Sequence, residues 1–346
     1  MIPRSTFLLA LLCALNFCPS AAVRADSHKD AMAGRHLKPE EIPALEAAVA
    51  KQPDDVSART KLLGYYFYNQ HGSKAVNALR LPHILWIITN QPAVKIAGLP
   101  YCHLNPVLDA DAYVLGKKLW LEQAKAWSTN PAVLANAANY LQIADPDLAG
   151  NLLQQAQKID PANPKWSDQL GHLYALNAGT GKTDPAKSLA AFQRAQAADT
   201  DADSRFYRLS DLALQAFAAG DLKNAEQYAG ELLATATQYP KDWNYGNAIL
   251  MGNTVLGRIA LRQGQVKAAK EYLFKAGQTP GSPQLNSFGP NMSLAKELAE
   301  KGEQDAVIKY FDQCRKFWSM GADKLDAWTK TVKAGRVPDF GANLVY

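Results

Sequence analysis

The chain has 346 residues, of which 48% are hydrophobic and 20% are charged, so it is too apolar to be a disordered protein. Its 37 basic and 32 acidic side chains give a formal net charge of only +5, and no dense cluster of Lys and Arg indicates a nucleic-acid-binding surface. Because one compact core seldom organises a chain of this length, we expect either two domains or an elongated array of repeats.

The first 25 residues have the features of a secretory signal peptide. Arg4 precedes the apolar run 7–15, and small residues follow near Ala25. The run is too short for a membrane anchor, which needs about 20 apolar residues. Phe17 is bulky for the position before a lipidated Cys18. We therefore expect removal of residues 1–25, a flexible segment at 26–38, and an exported protein, periplasmic or secreted, without a transmembrane segment.

After the leader, apolar residues recur at helical spacing, and Pro and Gly fall between the helical runs. This pattern predicts an all-α protein with helices over residues 40–51, 56–68, 74–88, 110–128, 132–143, 147–159, 164–176, 185–198, 202–218, 222–238, 244–262, 266–276, 292–300, 304–318 and 324–332. Two Pro- and Gly-rich loops, 91–109 and 278–291, interrupt the pattern. Long ordered loops are often functional, but these two are equally suited to be joints between stretches of repeats.

The helices follow a repeat that is clearest from Asn130 onwards. Ala137 and Tyr140 are followed 34 residues later by Gly171 and Tyr174, a spacing typical of helix–turn–helix repeats. The first unit resembles the tetratricopeptide repeat at six of its eight signature positions, which are Ala137, Tyr140, Ala149, Leu153, Ala156 and Pro161. Val133 and Asn136 stand where that repeat usually has Trp and Leu.

Four further units carry part of the same signature. Gly220, Gly264 and Gly302 occupy the turn position, and Leu63-Gly64 marks an early unit. Counting the unit with Gly171, six units cover most of the mature chain. The resemblance implies a right-handed α-α superhelix of helical hairpins, with one repeat region at 39–129, another at 130–321, and a capping helix with an apolar tail at 322–346.

Nothing in the sequence identifies a reaction, a metal or a cofactor. The segment 178–183, Ala-Gly-Thr-Gly-Lys-Thr, lacks the first Gly and the preceding strand of a phosphate-binding loop, and we interpret it as a polar insertion between two helices. Large aromatic side chains dominate burial in helical repeats, so core packing is expected for at least five of the seven Trp residues. We therefore expect a protein without catalytic activity, metal or cofactor.

The cysteine and histidine residues offer one candidate cluster. Cys102 and His103 are adjacent and could form a thiol nucleophile with its base or, with His83 and Asp109, a metal site. Catalytic pairs usually come from separated positions, and the spacing does not fit zinc, so we interpret these as ordinary loop residues. Cys314 falls on a packing position. Since the two mature cysteines are far apart along a repeat array, both are expected to be free thiols.

The resemblance also implies a concave groove lined by the first helices of successive units. The ligand-contacting positions of that family correspond here to Lys61, Tyr65, Tyr68, Asn69, Asp168, His172, Arg258, Arg262 and Lys296. Cationic and aromatic groups of this kind suit a peptide and its carboxylates. We expect a scaffold that binds a protein or peptide; the alternatives are a glycan-binding protein that uses exposed Trp and an α-helical carbohydrate-active enzyme with acidic residues near 91–109.

Overall fold

The computed structural model describes residues 27–69, 74–176 and 183–344. The predicted leader and most of the polar insertion at 178–183 lie outside the described residues. Those that are described form seventeen α-helices and no β-strand, which confirms the all-α prediction. They divide into two compact units, one ending at Asn105 and one beginning at Pro106. None of the described helices has the length and apolarity needed to cross a bilayer.

The described residues of unit one form four α-helices, which are α1 (Ser27–Arg35), α2 (Ile42–Lys51), α3 (Val56–Asn69) and α4 (Lys74–Asn90). Two short 3-10 helices follow at Lys95–Gly98 and Pro100–Cys102, in the first irregular loop. The part of that loop from 96 to 104 is packed, with Ile96 and Cys102 fully buried, whereas Val107 and Leu108 are exposed.

Helix α1 corrects the expectation of a flexible segment at 26–38. Its backbone packs directly on α3, with Ala31 fully buried. A Cβ atom added at Gly34 would overlap the carbonyl oxygen of Lys61, and one at Gly64 would overlap that of Ala31. Only glycine permits such close backbone contact. The polar sequence of α1 lacks an apolar stripe, so its periodicity does not predict this packing.

Unit two consists of five helical hairpins with three further helices. The hairpins are α6 (Pro131–Leu141) with α7 (Pro146–Ile159), α8 (Pro164–Ala175) with α9 (Pro185–Ala198), α10 (Ala202–Ala218) with α11 (Leu222–Ala236), α12 (Tyr245–Arg262) with α13 (Val266–Gly277), and α15 (Ser293–Glu300) with α16 (Gln304–Cys314). The further helices are α5 (Ala110–Ala126), α14 (Pro283–Phe288) and α17 (Ala322–Lys333). Neighbouring helices pack in sequence, as in an α-α helical solenoid.

The interval between hairpins grows along unit two. Their first helices begin at Pro131, Pro164, Ala202, Tyr245 and Ser293, which are 33, 38, 43 and 48 residues apart. The 34-residue period therefore describes only the first interval closely. The last interval is the longest because α14, which the sequence analysis did not predict, is inserted in the loop 278–291.

Glycine turns close the last three hairpins at the predicted positions. Gly220, Gly264 and Gly302 have φ values of 81°, 76° and 84°, a left-handed conformation that favours glycine. After Gly220, the N–H of Asp221 donates to the carbonyl of Ala216 at 2.9 Å, and the equivalent bond follows the other two glycines. This bond is the helix-terminating bond of a Schellman motif. It fixes where each second helix begins.

The C-terminal tail packs on α17 and on the second irregular loop. Phe340 is 2% exposed, and its ring packs edge-to-face with the ring of Trp328, with ring centres 4.9 Å apart. Asn343 donates from Nδ2 to the carbonyls of Phe288 and Pro290, both at 3.0 Å. Since this side chain fixes the end of the 278–291 loop, that part of the loop is a packed joint.

Candidate functional site

The four predicted ligand-contacting residues of the early repeat lie on α3, under or beside α1. Tyr68 donates its hydroxyl to Sδ of Met32 at 3.3 Å, and Asn69 donates from Nδ2 to the carbonyl of Arg35 at 3.3 Å. Tyr65 is 6% exposed, and the backbone of Lys61 lies against Gly34. The chain's own helix therefore occupies the face on which the sequence analysis placed a partner.

The five later residues lie on first helices of unit two and are brought together by contacts from one helix to the next. We define the helix-A face as the surface formed by α8, α10, α12 and α15 that carries them. It holds Asp168 and His172 on α8, Arg258 and Arg262 on α12, and Lys296 on α15. Residues of α10, none of which was predicted, connect the two ends of this face.

Arg208 of α10 binds Asp168 in a buried ionic cluster. Its Nε and Nη2 donate to the two carboxylate oxygens of Asp168 at 2.6 and 2.8 Å. Nη2 also donates to Asp199 at 2.7 Å and Nη1 to Oε1 of Gln196 at 2.9 Å. The Arg208 side chain is 4% exposed. Asp168 is therefore engaged by its own chain and helps to join successive hairpins.

The pKa values of Asp199 and Asp211, both near this cluster, are shifted in opposite directions. Burial acts to raise the pKa of Asp199, but the hydrogen bond from Arg208 and a backbone N–H outweigh it, so the pKa is lowered. Burial raises the pKa of Asp211, and the charge of Asp168 adds to the effect against the opposing influence of His172 and Arg208. In the described part of the chain no hydrogen bond reaches the Asp211 carboxylate.

His172 and Asp211 place an exposed imidazole beside this desolvated carboxylate. The His172 ring packs against the edge of Phe192 at 4.9 Å and remains exposed to solvent. Asp211 is half-buried on the adjacent first helix. A carboxylate that is desolvated without a hydrogen-bond donor destabilises the fold, and such groups concentrate at functional sites. Asp211 is therefore a candidate functional residue that the sequence analysis missed.

Two arginines of α12 lie over one aromatic ring of α10. The guanidinium carbons of Arg258 and Arg262 lie 4.3 and 5.4 Å from the centre of the Phe217 ring. Arg258 is half-buried and donates from Nε and Nη2 to Oε1 of Glu297 at 2.9 and 2.7 Å. Arg262 is exposed and, within the described ranges, has no acidic partner. Of the two cations over the Phe217 ring, Arg258 is therefore neutralised by Glu297, whereas Arg262 forms no ion pair with a described residue.

Lys296 completes the helix-A face with an ordinary surface pair. Its Nζ lies 3.0 Å from Oε1 of Glu300, four residues later on α15. Both side chains are more than two-fifths exposed, so the pair contributes little to stability. Among the predicted residues of unit two, His172 and Arg262 are the ones whose charged or polar ends remain open to a ligand.

The Cys102–His103 candidate lacks the chemistry of a catalytic thiol. Burial raises the pKa of Cys102 to about 12 and lowers the pKa of His103 to about 4. The thiolate is the nucleophilic form, so this environment suppresses it. Cys102 and Cys314 are both buried and free, as expected. Groups of His, Cys, Asp and Glu suited to hold a metal ion are absent from the described residues.

His83 belongs to a different network, inside unit one. Its Nδ1 lies 3.2 Å from Nη1 of Arg59, and its Nε2 lies 3.0 Å from Oε1 of Glu46. A guanidinium can only donate, so Nδ1 accepts and the proton on Nε2 is donated to the carboxylate. Tyr66 donates its hydroxyl to the same Glu46 oxygen at 2.6 Å. Both imidazole nitrogens are engaged, which gives His83 a structural role.

The seven Trp residues divide between core and surface. Trp120, Trp166, Trp318 and Trp328 are buried. Trp86 is half-buried, with the Arg59 guanidinium 3.9 Å from its ring centre, so four Trp rings lie in the core where at least five were expected. Trp127 and Trp243 are 52% and 53% exposed. Trp127 and Trp243 are therefore the Trp residues whose rings are exposed enough to stack on a glycan.

In comparisons with known proteins, no protein-family model and no curated protein matches the chain. The assignment therefore depends on the contacts described above. Arg208, Asp211, Phe217 and Glu297 escaped the sequence analysis because they stand outside the ligand positions of the repeat that the sequence resembles. The one available signal was that each is a charged or aromatic residue within a predicted first helix.

Proposed function

We propose that this protein is an exported, tetratricopeptide-like scaffold that binds a protein or peptide on the helix-A face of unit two and catalyses no reaction. The observation that carries the proposal is a pair of charged groups on that face, Asp211 on α10 and Arg262 on α12, which form no ion pair with another described residue. Their neighbours Arg208 and Arg258 are both neutralised by carboxylates. The leader supports export, and the hairpin array supports the choice of a scaffold.

The chemistry of the two charges describes the segment that would fit. A basic group placed beside Asp211 would supply the missing donor, and an acidic group or terminal carboxylate would pair with Arg262. The Phe217 ring is buried beneath Arg258 and Arg262 and helps to hold their guanidinium groups in place. Because complementary charge sets specificity and the rate of association, we propose a partner segment that carries both signs.

Selection from a random peptide display library tests this function. The purified protein is immobilised, and the affinities of recovered peptides are measured for wild type, Asp211→Asn and Arg262→Glu. Loss of a charge-assisted hydrogen bond should weaken binding roughly ten- to a hundredfold in each variant, because such bonds contribute about 1.5–3 kcal/mol. Raising the salt concentration should weaken wild-type binding as well.

The matched control is Arg194→Glu, which reverses an exposed arginine on α9, the second helix of a hairpin. It changes net charge as Arg262→Glu does, but away from the helix-A face, and should leave the affinity unchanged. Equal losses of peptide affinity in Arg194→Glu and Arg262→Glu would show that overall charge causes the effect. That result would contradict binding on the helix-A face. Failure to recover any peptide, together with turnover of a substrate by the purified protein, would contradict the function itself.

A further inference from the structure

A polar cleft on unit two lies between α9, α10 and α11 and is independent of the helix-A face charges discussed above. Its volume is about 370 Å³. Pockets for small molecules range over roughly 300–1,000 Å³, so this one has room for a small ligand. Its lining includes Arg205, Gln196, Glu231, Gln238 and Tyr239.

The donors in the cleft are held in place by the protein itself. Arg205 donates from Nη1 to the carbonyls of Gln196 and Asp199 at 2.7 and 3.2 Å, which orients the guanidinium. The Gln196 amide oxygen accepts from Arg208, so its NH₂ group is the end left for a ligand. Groups oriented before binding lose little conformational freedom when a ligand arrives.

The charges around the cleft disfavour an ionic ligand. Its lining carries one cation, Arg205, and one anion, the exposed Glu231. Two further carboxylates, those of Asp201 and Asp203, are exposed at the start of α10, whereas Asp199 is already bound by Arg208. A phosphate or carboxylate would meet these acids, and a cation would meet Arg205. A neutral ligand rich in hydroxyl groups can donate to Glu231 and accept from Arg205 without either penalty.

Tyr239 gives the cleft an aromatic surface. Tyr239, in the cleft wall, stacks on Phe206 with ring centres 5.2 Å apart and planes 10° apart. Phe206 itself is 1% exposed, so this stacking holds the Tyr239 ring in place and does not extend the surface that a ligand can touch. Aromatic faces beside hydrogen-bonding groups provide both an apolar and a polar surface for one ligand.

We propose that this cleft binds a neutral saccharide unit, with Arg205, Gln196, Glu231 and Gln238 bonding its hydroxyl groups and Tyr239 contacting its apolar face. The site does not depend on the peptide-binding function, since its lining residues are distinct from Asp211 and Arg262.

The test is saturation-transfer NMR of the purified protein with maltose, N-acetylglucosamine and galactose in turn, and phosphorus NMR line broadening of inorganic phosphate as the anionic probe. We expect saturation transfer to at least one sugar and no binding of phosphate. For that sugar, Glu231→Ala and Gln238→Ala should each raise the dissociation constant about tenfold. Both side chains are exposed, so the fold should tolerate their truncation.

Glu226→Ala is the matched control, because Glu226 is an exposed glutamate of α11 outside the cleft lining. It should bind the sugar as wild type does. Absence of transfer to all three sugars, binding of phosphate in their place, or equal affinity in Glu231→Ala and Glu226→Ala would each overturn the proposal.

Discussion

The first helices of the repeats carry the predicted ligand-contacting positions in both units, but these positions are covered in unit one and partly open in unit two. In unit one the face of α3 is covered by α1, whose backbone meets it at Gly34 and Gly64. In unit two, side-chain contacts such as those of Arg208 and Arg258 cross the corresponding face. Arg262 on the same face forms no ion pair with a described residue. A ligand position inferred from a repeat is therefore a surface only where no other segment of the chain covers it.

The largest expected effect follows from removing the ionic cluster that joins the hairpins of unit two. Arg208→Ala would leave the carboxylates of Asp168 and Asp199 without their cation, the second of them 8% exposed. Breaking a buried ion pair in this way costs about 3–5 kcal/mol. Urea denaturation should show a loss of about that size. An exposed arginine gives the control: Arg194→Ala should change stability by less than about 0.5 kcal/mol, and equal effects would contradict the cluster.

Opening the covered face of unit one should have the next largest effect. Gly64→Ala places a Cβ against the Ala31 carbonyl, so α1 must move away. Overpacking of this kind costs about 1–3 kcal/mol, and backbone contact places it near the upper value. Hydrogen exchange should show faster exchange of the α1 amides.

Gly230→Ala is the helical control for that substitution, since an added Cβ there meets no atom within 4 Å. It should stabilise the protein by about 0.5–1 kcal/mol through helix propensity. Slow exchange in α1 of Gly64→Ala would mean that the two backbones are not in contact.

A milder change in the same face is Tyr68→Phe. It removes the hydroxyl that donates to Met32 and lies 3.1 Å from the hydroxyl of Tyr101, but keeps the ring over which Arg35 lies. One lost hydrogen bond corresponds to about 1 kcal/mol. Denaturant titration should show that loss with an unchanged slope. A neutral result would indicate that α1 is held by backbone packing alone.

The smallest expected effect is a gain, at Asp211. Its folded pKa is raised, so protonation favours the folded state, and that contribution is lost as pH rises through the folded pKa. Asp211→Asn should therefore be more stable than wild type at neutral pH. The difference should disappear below pH about 3.9, where aspartate is protonated in the unfolded chain too.

Asp199→Asn gives the opposite pH dependence and serves as its comparison. The folded pKa of Asp199 is lowered, so its stabilisation is present at neutral pH and is lost as pH falls through the folded value. The substitution should destabilise the protein at neutral pH, and the difference should narrow in acid. Parallel pH profiles for the two variants would contradict the assigned surroundings of Asp211.

Sequence patterns predicted the helices because each depends on local periodicity and on turn residues such as Gly220 and Gly264. All fifteen predicted helices are present with ends that differ by a few residues. Helix α1 was missed because glycine contacts, rather than an apolar stripe, hold it. The candidate site was predicted only in part, since Arg208 and Asp168 are 40 residues apart and their pairing depends on how hairpins stack.

The most direct test of the open helix-A face in unit two is a hydrogen-exchange footprint of a library-selected peptide on the wild-type protein. Binding should slow exchange in α8, α10 and α12, which carry His172, Asp211 and Arg262, and leave α1 and α3 unchanged. The Arg262→Glu variant should lose this protection at the same peptide concentration. Protection confined to α1 and α3, or protection that Arg262→Glu retains in full, would contradict the account.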